Sequence, residues 1–191
     1  MIRFHDARTG RTRVVLKPTE LYVSKSEETL TTVLGSCVAV CLWDPETRIT
    51  GMNHFVLSRR KDSASGFPEK EEGRFGEDAM PALLEQIERA GAPRFRLTVK
   101  LFGGAMIINK DCKNNCVGEE NIKVARSFLS QRGMPIAAED VGGTVGRRIH
   151  FDARTGRVEV ERLTRYNSTL ANDPLKGPSK EPSSPFQKII Y

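Results

Sequence analysis

Long apolar runs are missing from this sequence. No stretch of the 191 residues approaches the ~18 apolar positions a membrane-spanning helix needs. The opening stretch MIRFHDARTGRTRVVLKP is interrupted by charge throughout and lacks the apolar centre of a signal peptide. The chain is therefore expected to stay in the cytoplasm, without membrane insertion. Clustered basic residues are missing too. The net charge is +6, from 30 Lys and Arg against 24 Asp and Glu, yet no basic patch carries interleaved aromatics. That pattern reads as a solvated surface able to meet an acidic partner, and it argues against nucleic acid.

Cysteine and histidine are scarce, with 4 and 3 residues. Cys37/Cys41 and Cys112/Cys116 each form a C-x-x-x-C pair, a spacing zinc permits. Cys37 and Cys41, however, fall in an expected strand, where residues four apart lie ~13 Å from each other at ~3.3 Å rise per residue. No metal site is expected, and in a reducing compartment the thiols should be free. A disulfide in the polar loop KDCKNNCVG, under oxidation, stays open.

What is present is a mixed pattern. Strands are expected at 12–16, 38–43, 49–57, 96–102, 136–141, 147–151 and 157–163, with clean alternation in RVEVERL. Two amphipathic helices are expected. Met80, Leu83, Leu84 and Ile87 form one stripe, which Gly91 and Pro93 end. Ile122, Ala125, Phe128 and Leu129 form the other, stopped by Gly133 and Pro135. DARTGR occurs at 6–11 and again at 152–157, with the cousin DPETR at 44–48. Aspartate at the first position accepts from backbone amides two residues on, so all three read as hairpin turns. The polar stretch 58–73 reads as a long loop. Residues 1–165 are expected to form one α+β domain, and the Pro/Ser-rich stretch 166–191 a disordered tail. The final FQKIIY is apolar enough to dock.

Within LGSCVAVCLWDPETRITGMNHF, Cys37 is either a small apolar filler or a nucleophile. If Asp44 faces Thr47 across the turn, Cys37 faces His54, and directly opposed residues have Cβ atoms ~5 Å apart. A one-residue bulge would place His54 beside that position. A thiol near an imidazole can form a thiolate–imidazolium pair with a lowered thiol pKa. Gly35 permits a tight backbone, so the amides of Ser36 and Cys37 could face an incoming carbonyl oxygen. His54 as a merely structural histidine remains the alternative.

The stretch TTVLGSCVAVCLWDPETRITGMNHFVLSRR resembles the CheD family of chemoreceptor glutamine deamidases. So do RFGEDAMPALLEQIERAGA, LTVKLFGGAMI, VGEENIKVARSFLSQRGMPIAAEDVGG and GRRIHFDARTGRVEVERL; the likeness covers about 18–163. It implies a layered α/β/α sandwich with mixed sheets, similar to the catalytic domain of glutamine-deamidating toxins. It implies Cys37 as nucleophile, His54 as acid/base and Thr31 as third residue, six before the cysteine. Thr32 is the adjacent alternative, because Val33 stands where the family has Gly. Gly35, Ser36, Gly103 and Gly104 would line the pocket, although the two later glycines read equally as a tight turn. Glu139 and Asp140 match the family as well, with strand-end packing as the rival account. The implied reaction converts receptor glutamines to glutamate in chemotaxis adaptation, releasing ammonia without a cofactor. The implied partners are the receptors' cytoplasmic domains and a CheC-type phosphatase. An adaptor without catalysis and a general thiol hydrolase are the competing readings.

Overall fold

The computed structural model describes residues 1–7, 9–58, 73–107, 116–163 and 188–191. Among the described residues, eleven strands and two α-helices follow one another. They are β1 (Ile2–Asp6), β2 (Arg11–Val15), β3 (Leu21–Ser24), β4 (Thr29–Leu34), β5 (Val38–Trp43), β6 (Thr50–Asn53), α1 (Gly76–Ala90), β7 (Thr98–Gly103), α2 (Val117–Gln131), β8 (Ile136–Val141), β9 (Arg147–Asp152), β10 (Val158–Arg162) and β11 (Lys188–Ile190). They build two sheets, ordered β1-β2-β4-β9-β10-β11 and β3-β6-β5-β7-β8. Both are mixed: β2–β4 and β7–β8 are parallel, and the other pairs antiparallel.

Alternation along β5 sets the layers. Ala39 and Cys41 point into a cluster shared with Leu30, Leu34, Ile149, Phe151, Val158 and Val160 of the first sheet. Val38, Val40 and Leu42 point the other way, onto Met80, Leu83 and Ile87 of α1 and Ile122, Ala125 and Leu129 of α2. Being apolar on both faces marks β5 as a central strand between two cores. The expected mixed, layered α+β architecture is therefore present. The order of layers is sheet, sheet, helices among the described residues, rather than a sheet between two helical layers. The outer face of the first sheet carries ion pairs instead of an apolar stripe: Arg11–Asp152, Arg13–Asp6 and Arg148–Glu161. Such a face has no reason to recruit a helix.

The three related turns join β1 to β2, β5 to β6 and β9 to β10. In each, the amide of the fifth residue donates to the aspartate carbonyl: Gly10 to Asp6, Arg48 to Asp44 and Gly156 to Asp152, at 2.8, 2.8 and 2.9 Å. Those fifth residues are left-handed, with φ of 66°, 58° and 69°. Asp44 is fully buried, accepts from the Glu46 amide and Thr47 hydroxyl, and meets Arg96 at 2.6 Å. Two of these turns also pack together. A Cβ on Gly156 would lie 2.4 Å from the Trp43 ring, and the Trp43 indole donates to the Ala153 carbonyl.

The tail expectation changes at its end. Residues 164–187 lie outside the described residues, but Lys188–Ile190 pairs with β10. Tyr191 packs edge-on against Phe102, its hydroxyl donates to Asp140, and its carbonyl accepts from Lys100. The last four residues thus belong to the folded body. The long polar loop expected at 58–73 falls almost wholly outside the described residues.

Candidate active site

Cys37 stands just before β5, in the short connection that carries the chain from the first sheet to the second. Every carbonyl of that connection is held. Gly35 accepts from the Ala105 amide at 2.7 Å, Ser36 from the Asn121 side chain at 2.9 Å, and Cys37 from the Gly104 amide at 2.7 Å. The amides of Ser36 and Cys37 donate to no residue among those described. Gly103 makes this approach feasible: with φ of 111°, a Cβ there would lie 2.2 Å from the Cys37 carbonyl oxygen. Gly104 and Gly118 allow α2 to close on the same loop, since a Cβ on Gly118 would sit 2.4 Å from the Gly104 carbonyl oxygen. The Gly104 amide is spent on the loop, so it cannot serve an incoming carbonyl. The two glycines support the Cys37 loop.

The hairpin register differs from the sequence count. Asp44 closes on Ile49, not Thr47, because Arg48 takes the left-handed position that Gly10 and Gly156 fill in the sister turns. Val38 therefore faces Phe55, Cys41 faces Met52, and His54 faces Ala39. Cys37 and His54 still share one face, as diagonal neighbours two residues out of register. Such pairs lie ~7–8 Å apart along the backbone, within reach of long side chains. Their shared face is the inter-sheet one, where Cys37 packs at the edge of the Leu34–Phe102 cluster.

His54 is held on every side. Its amide donates to the Glu20 carbonyl and its carbonyl accepts from the Thr19 amide. Thr19 is left-handed at φ 71°, a strained conformation for a β-branched residue. In the ring, Nδ1 lies 2.7 Å from the Thr32 hydroxyl oxygen. That hydroxyl donates its one hydrogen to the Leu16 carbonyl at 2.8 Å. It can then only accept from the ring, so Nδ1 carries the proton and Nε2 keeps its lone pair. Nε2 is buried and has no hydrogen-bond partner among the described residues. An unpartnered basic nitrogen in a dry site is available for proton transfer.

Thr31 does not join this group. Successive residues of β4 point to opposite faces, so Thr31 turns outward and meets His150 Nδ1 at 2.9 Å. Thr32, not Thr31, is the hydroxyl that touches His54. Charge states differ from the expected ion pair as well. Burial pushes the Cys37 thiol up to about 11. It pushes His54 down to about 4, which the Glu20 carboxylate only partly opposes. The resting pair is a neutral thiol beside a neutral imidazole, because desolvation penalises both charged forms.

The other sequence candidates have structural partners. Glu139 pairs with Arg126, and buried Asp140 with Arg147 at 2.7 Å and Arg162 at 2.9 Å. Cys41 is fully buried, and burial raises its pKa. Among the described residues no cluster of metal-ligating side chains forms, and no helix is long and apolar enough to cross a membrane. Asn121 escaped the sequence reading, because it sits on the buried stripe of α2 where apolar residues were counted.

Residues 57–162 match the family model for CheD chemotactic sensory transduction. A protein of Bordetella avium, named probable chemoreceptor glutamine deamidase CheD, is 39% identical over 166 residues, covering 86% of this chain and 72% of its own. The chain belongs to the CheD family. The CheD relative from Stenotrophomonas maltophilia K279a, with the same printed name, is 42% identical over 85% of this chain and 79% of its own. One from Vibrio vulnificus is 36% identical over 94% and 90%. The CheD family model begins just beyond His54 and does not include Cys37 or His54.

Proposed function

We propose that this chain is a cysteine-dependent deamidase that converts specific glutamine side chains of chemotaxis receptors to glutamate, in the cytoplasm, as part of chemotaxis adaptation. The observation that carries the reading is the buried Thr32–His54 contact, which fixes the ring tautomer and leaves Nε2 unpartnered among the described residues. The hairpin register puts the half-buried Cys37 on the same face, on a loop whose Ser36 and Cys37 amides donate to no described residue. The printed names of the relatives supply the substrate class. Three elements of this proposal come from the resemblance alone: a CheC-type phosphatase as second partner, the receptors' cytoplasmic domain as docking site, and a likeness to glutamine-deamidating toxins.

The chemistry follows from the neutral pair. His54 Nε2 takes the Cys37 proton as the sulfur bonds to the carboxamide carbon, and the oxygen gains charge near the Ser36 and Cys37 amides. The imidazolium then protonates the departing nitrogen, the C–N bond breaks, and ammonia leaves a thioester. Nε2, neutral again, accepts a proton from water as its oxygen attacks. The C–S bond breaks, the proton returns to sulfur, and glutamate is released. Starting neutral suits this sequence, since Nε2 relays the thiol proton to ammonia and then a water proton to sulfur, and no charged resting form has to be desolvated.

The test is to incubate a receptor cytoplasmic fragment with the protein and map glutamine-to-glutamate changes by mass spectrometry while following ammonia. Site-specific conversion that vanishes in Cys37→Ala is expected. Conversion that persists in Cys37→Ala refutes the mechanism, and no conversion by the parent favours the adaptor reading.

A further inference from the structure

Asn121 is fully buried on the first turns of α2. Both hydrogens of its side-chain amide are committed, one to the Ser36 carbonyl and one to the Val56 carbonyl, each at 2.9 Å. Two carbonyl acceptors settle the orientation of the amide, because only the nitrogen end can donate. One side chain therefore ties the loop before the nucleophile to the residue two beyond His54.

The tie also sets a direction. The Ser36 carbonyl and the Cys37 N–H belong to the same peptide unit, and the chain has no cis peptide among the described residues. In a trans peptide the two groups point opposite ways. A carbonyl drawn toward α2 leaves the Cys37 N–H aimed away from the helix. The neighbouring carbonyls of Gly35 and Cys37 are held by Ala105 and Gly104, so that peptide cannot turn over without breaking several bonds together.

We infer that Asn121 is a positioning residue: by gripping the Ser36 carbonyl it locks the Cys37 amide as the oxyanion donor of the acyl-transfer step. The inference rests on Cys37 being the nucleophile and goes beyond it in assigning the source of oxyanion stabilisation. Asn121 touches no reacting atom. It acts through the peptide it holds, and through Val56 it keeps that peptide in fixed relation to the strand bearing His54. The cost to the fold is its own side-chain oxygen, which is buried without a partner among the described residues. A buried acceptor left unpaired is a liability retained for some other gain.

The experiment compares two reactions of the same sulfur. Acetylation of Cys37 by p-nitrophenyl acetate forms a C–S bond through a charged tetrahedral oxygen and expels p-nitrophenolate. Alkylation by iodoacetamide forms a C–S bond and expels iodide, with no such oxygen. Both are read by peptide mapping at one pH, in the parent and in Asn121→Asp and Asn121→Ser, with folding checked by circular dichroism. Acetylation should slow by about 10- to 100-fold, part of the ~10²–10³ lost when an oxyanion donor is removed outright, while alkylation stays within about threefold. Parallel loss of both rates would reduce Asn121 to a structural prop, and unchanged acetylation would remove it from the reaction altogether. Should both variants misfold, the parent decides alone. Its acetylation-to-alkylation ratio should exceed that of free cysteine at least tenfold, roughly the lower range for a working oxyanion donor; a ratio equal to that of free cysteine overturns the inference. Ammonia release from a receptor fragment, measured in parallel, tests the deamidase reading separately, because neither probe depends on the natural substrate.

Discussion

Replacing Thr32 by valine removes one oxygen and almost no volume, yet it should disable the site. The hydroxyl serves two buried groups, accepting from His54 Nδ1 at 2.7 Å and donating to the Leu16 carbonyl at 2.8 Å. Each buried partner left unpaired costs about 1–3 kcal/mol, so stability should fall by about 2–6 kcal/mol. For a chain of this size that lowers the melting temperature by roughly 4–24 °C, at about 2–4 °C per kcal/mol. The kinetic effect has a separate origin. When His54 takes the thiol proton, the Nδ1–H bond to Thr32 becomes charge-assisted, worth about 1.5–3 kcal/mol. Losing it should lower kcat by roughly 10- to 150-fold, with KM nearly unchanged. Thr31→Val is the matched control, since Thr31 faces His150 on the opposite side of β4. Ammonia release and thermal melts on both variants give the comparison. A crippled Thr31→Val beside an unimpaired Thr32→Val would refute the tautomer argument and return the third role to Thr31.

Other expectations follow from the same geometry. With its thiol pKa near 11, Cys37 should be alkylated ever faster as pH rises through 9 and 10, and a plateau near 7 would mean a thiolate–imidazolium pair. His54 has its pKa lowered to about 4, so the unfolded chain binds a proton near 6.5 that the folded chain refuses. Stability contributed by this group is present above about 6.5 and lost as pH falls toward 4, by up to about 3 kcal/mol, and His54→Gln should flatten that slope in denaturant titrations. Gly103→Ala places a Cβ 2.2 Å from the Cys37 carbonyl oxygen at φ 111° and should cost more than about 3 kcal/mol; Gly133→Ala meets open space at φ 64° and should cost about 1 kcal/mol in chemical denaturation. Asp140→Ala strands the buried Arg147 guanidinium and should cost about 3–5 kcal/mol by the same measurement.

Legibility from the sequence followed burial only in part. The central strand β5 and the edge strand β8 were readable to the residue, because apolar side chains there meet cores or clear turn signals, whereas the buried central strand β4 was not expected. The short β1 and β3 were not expected, since half-exposed edge strands give no alternation to read. The end strand β11 was hidden in a polar context, and its pairing with β10 is a tertiary choice. The register slip has a clear cause. Asp6 and Gly10, Asp44 and Arg48, and Asp152 and Gly156 are equally spaced, but an arginine in a left-handed position carries no glycine flag. Comparing the three turns with each other would have lengthened the hairpin and placed His54 opposite Ala39. The Thr31–Thr32 ambiguity could not be settled by counting back from Cys37, because strand parity depends on which of the two faces the second sheet. Asn121 left no signal of its own, since a polar residue on an apolar stripe shows its use only when the carbonyls it serves are known.

Holding the Cys37 thiol protonated has a consequence beyond turnover. Peroxide and stray electrophiles react with thiolates, and sulfur of this kind presents very little thiolate at neutral pH. On the proposed mechanism, the sulfur would stay chemically quiet between encounters and turn nucleophilic only when a bound carbonyl and the His54 ring draw its proton off together. Such a residue should survive oxidative conditions that inactivate enzymes with a permanently ionised cysteine, without the help of a reductant.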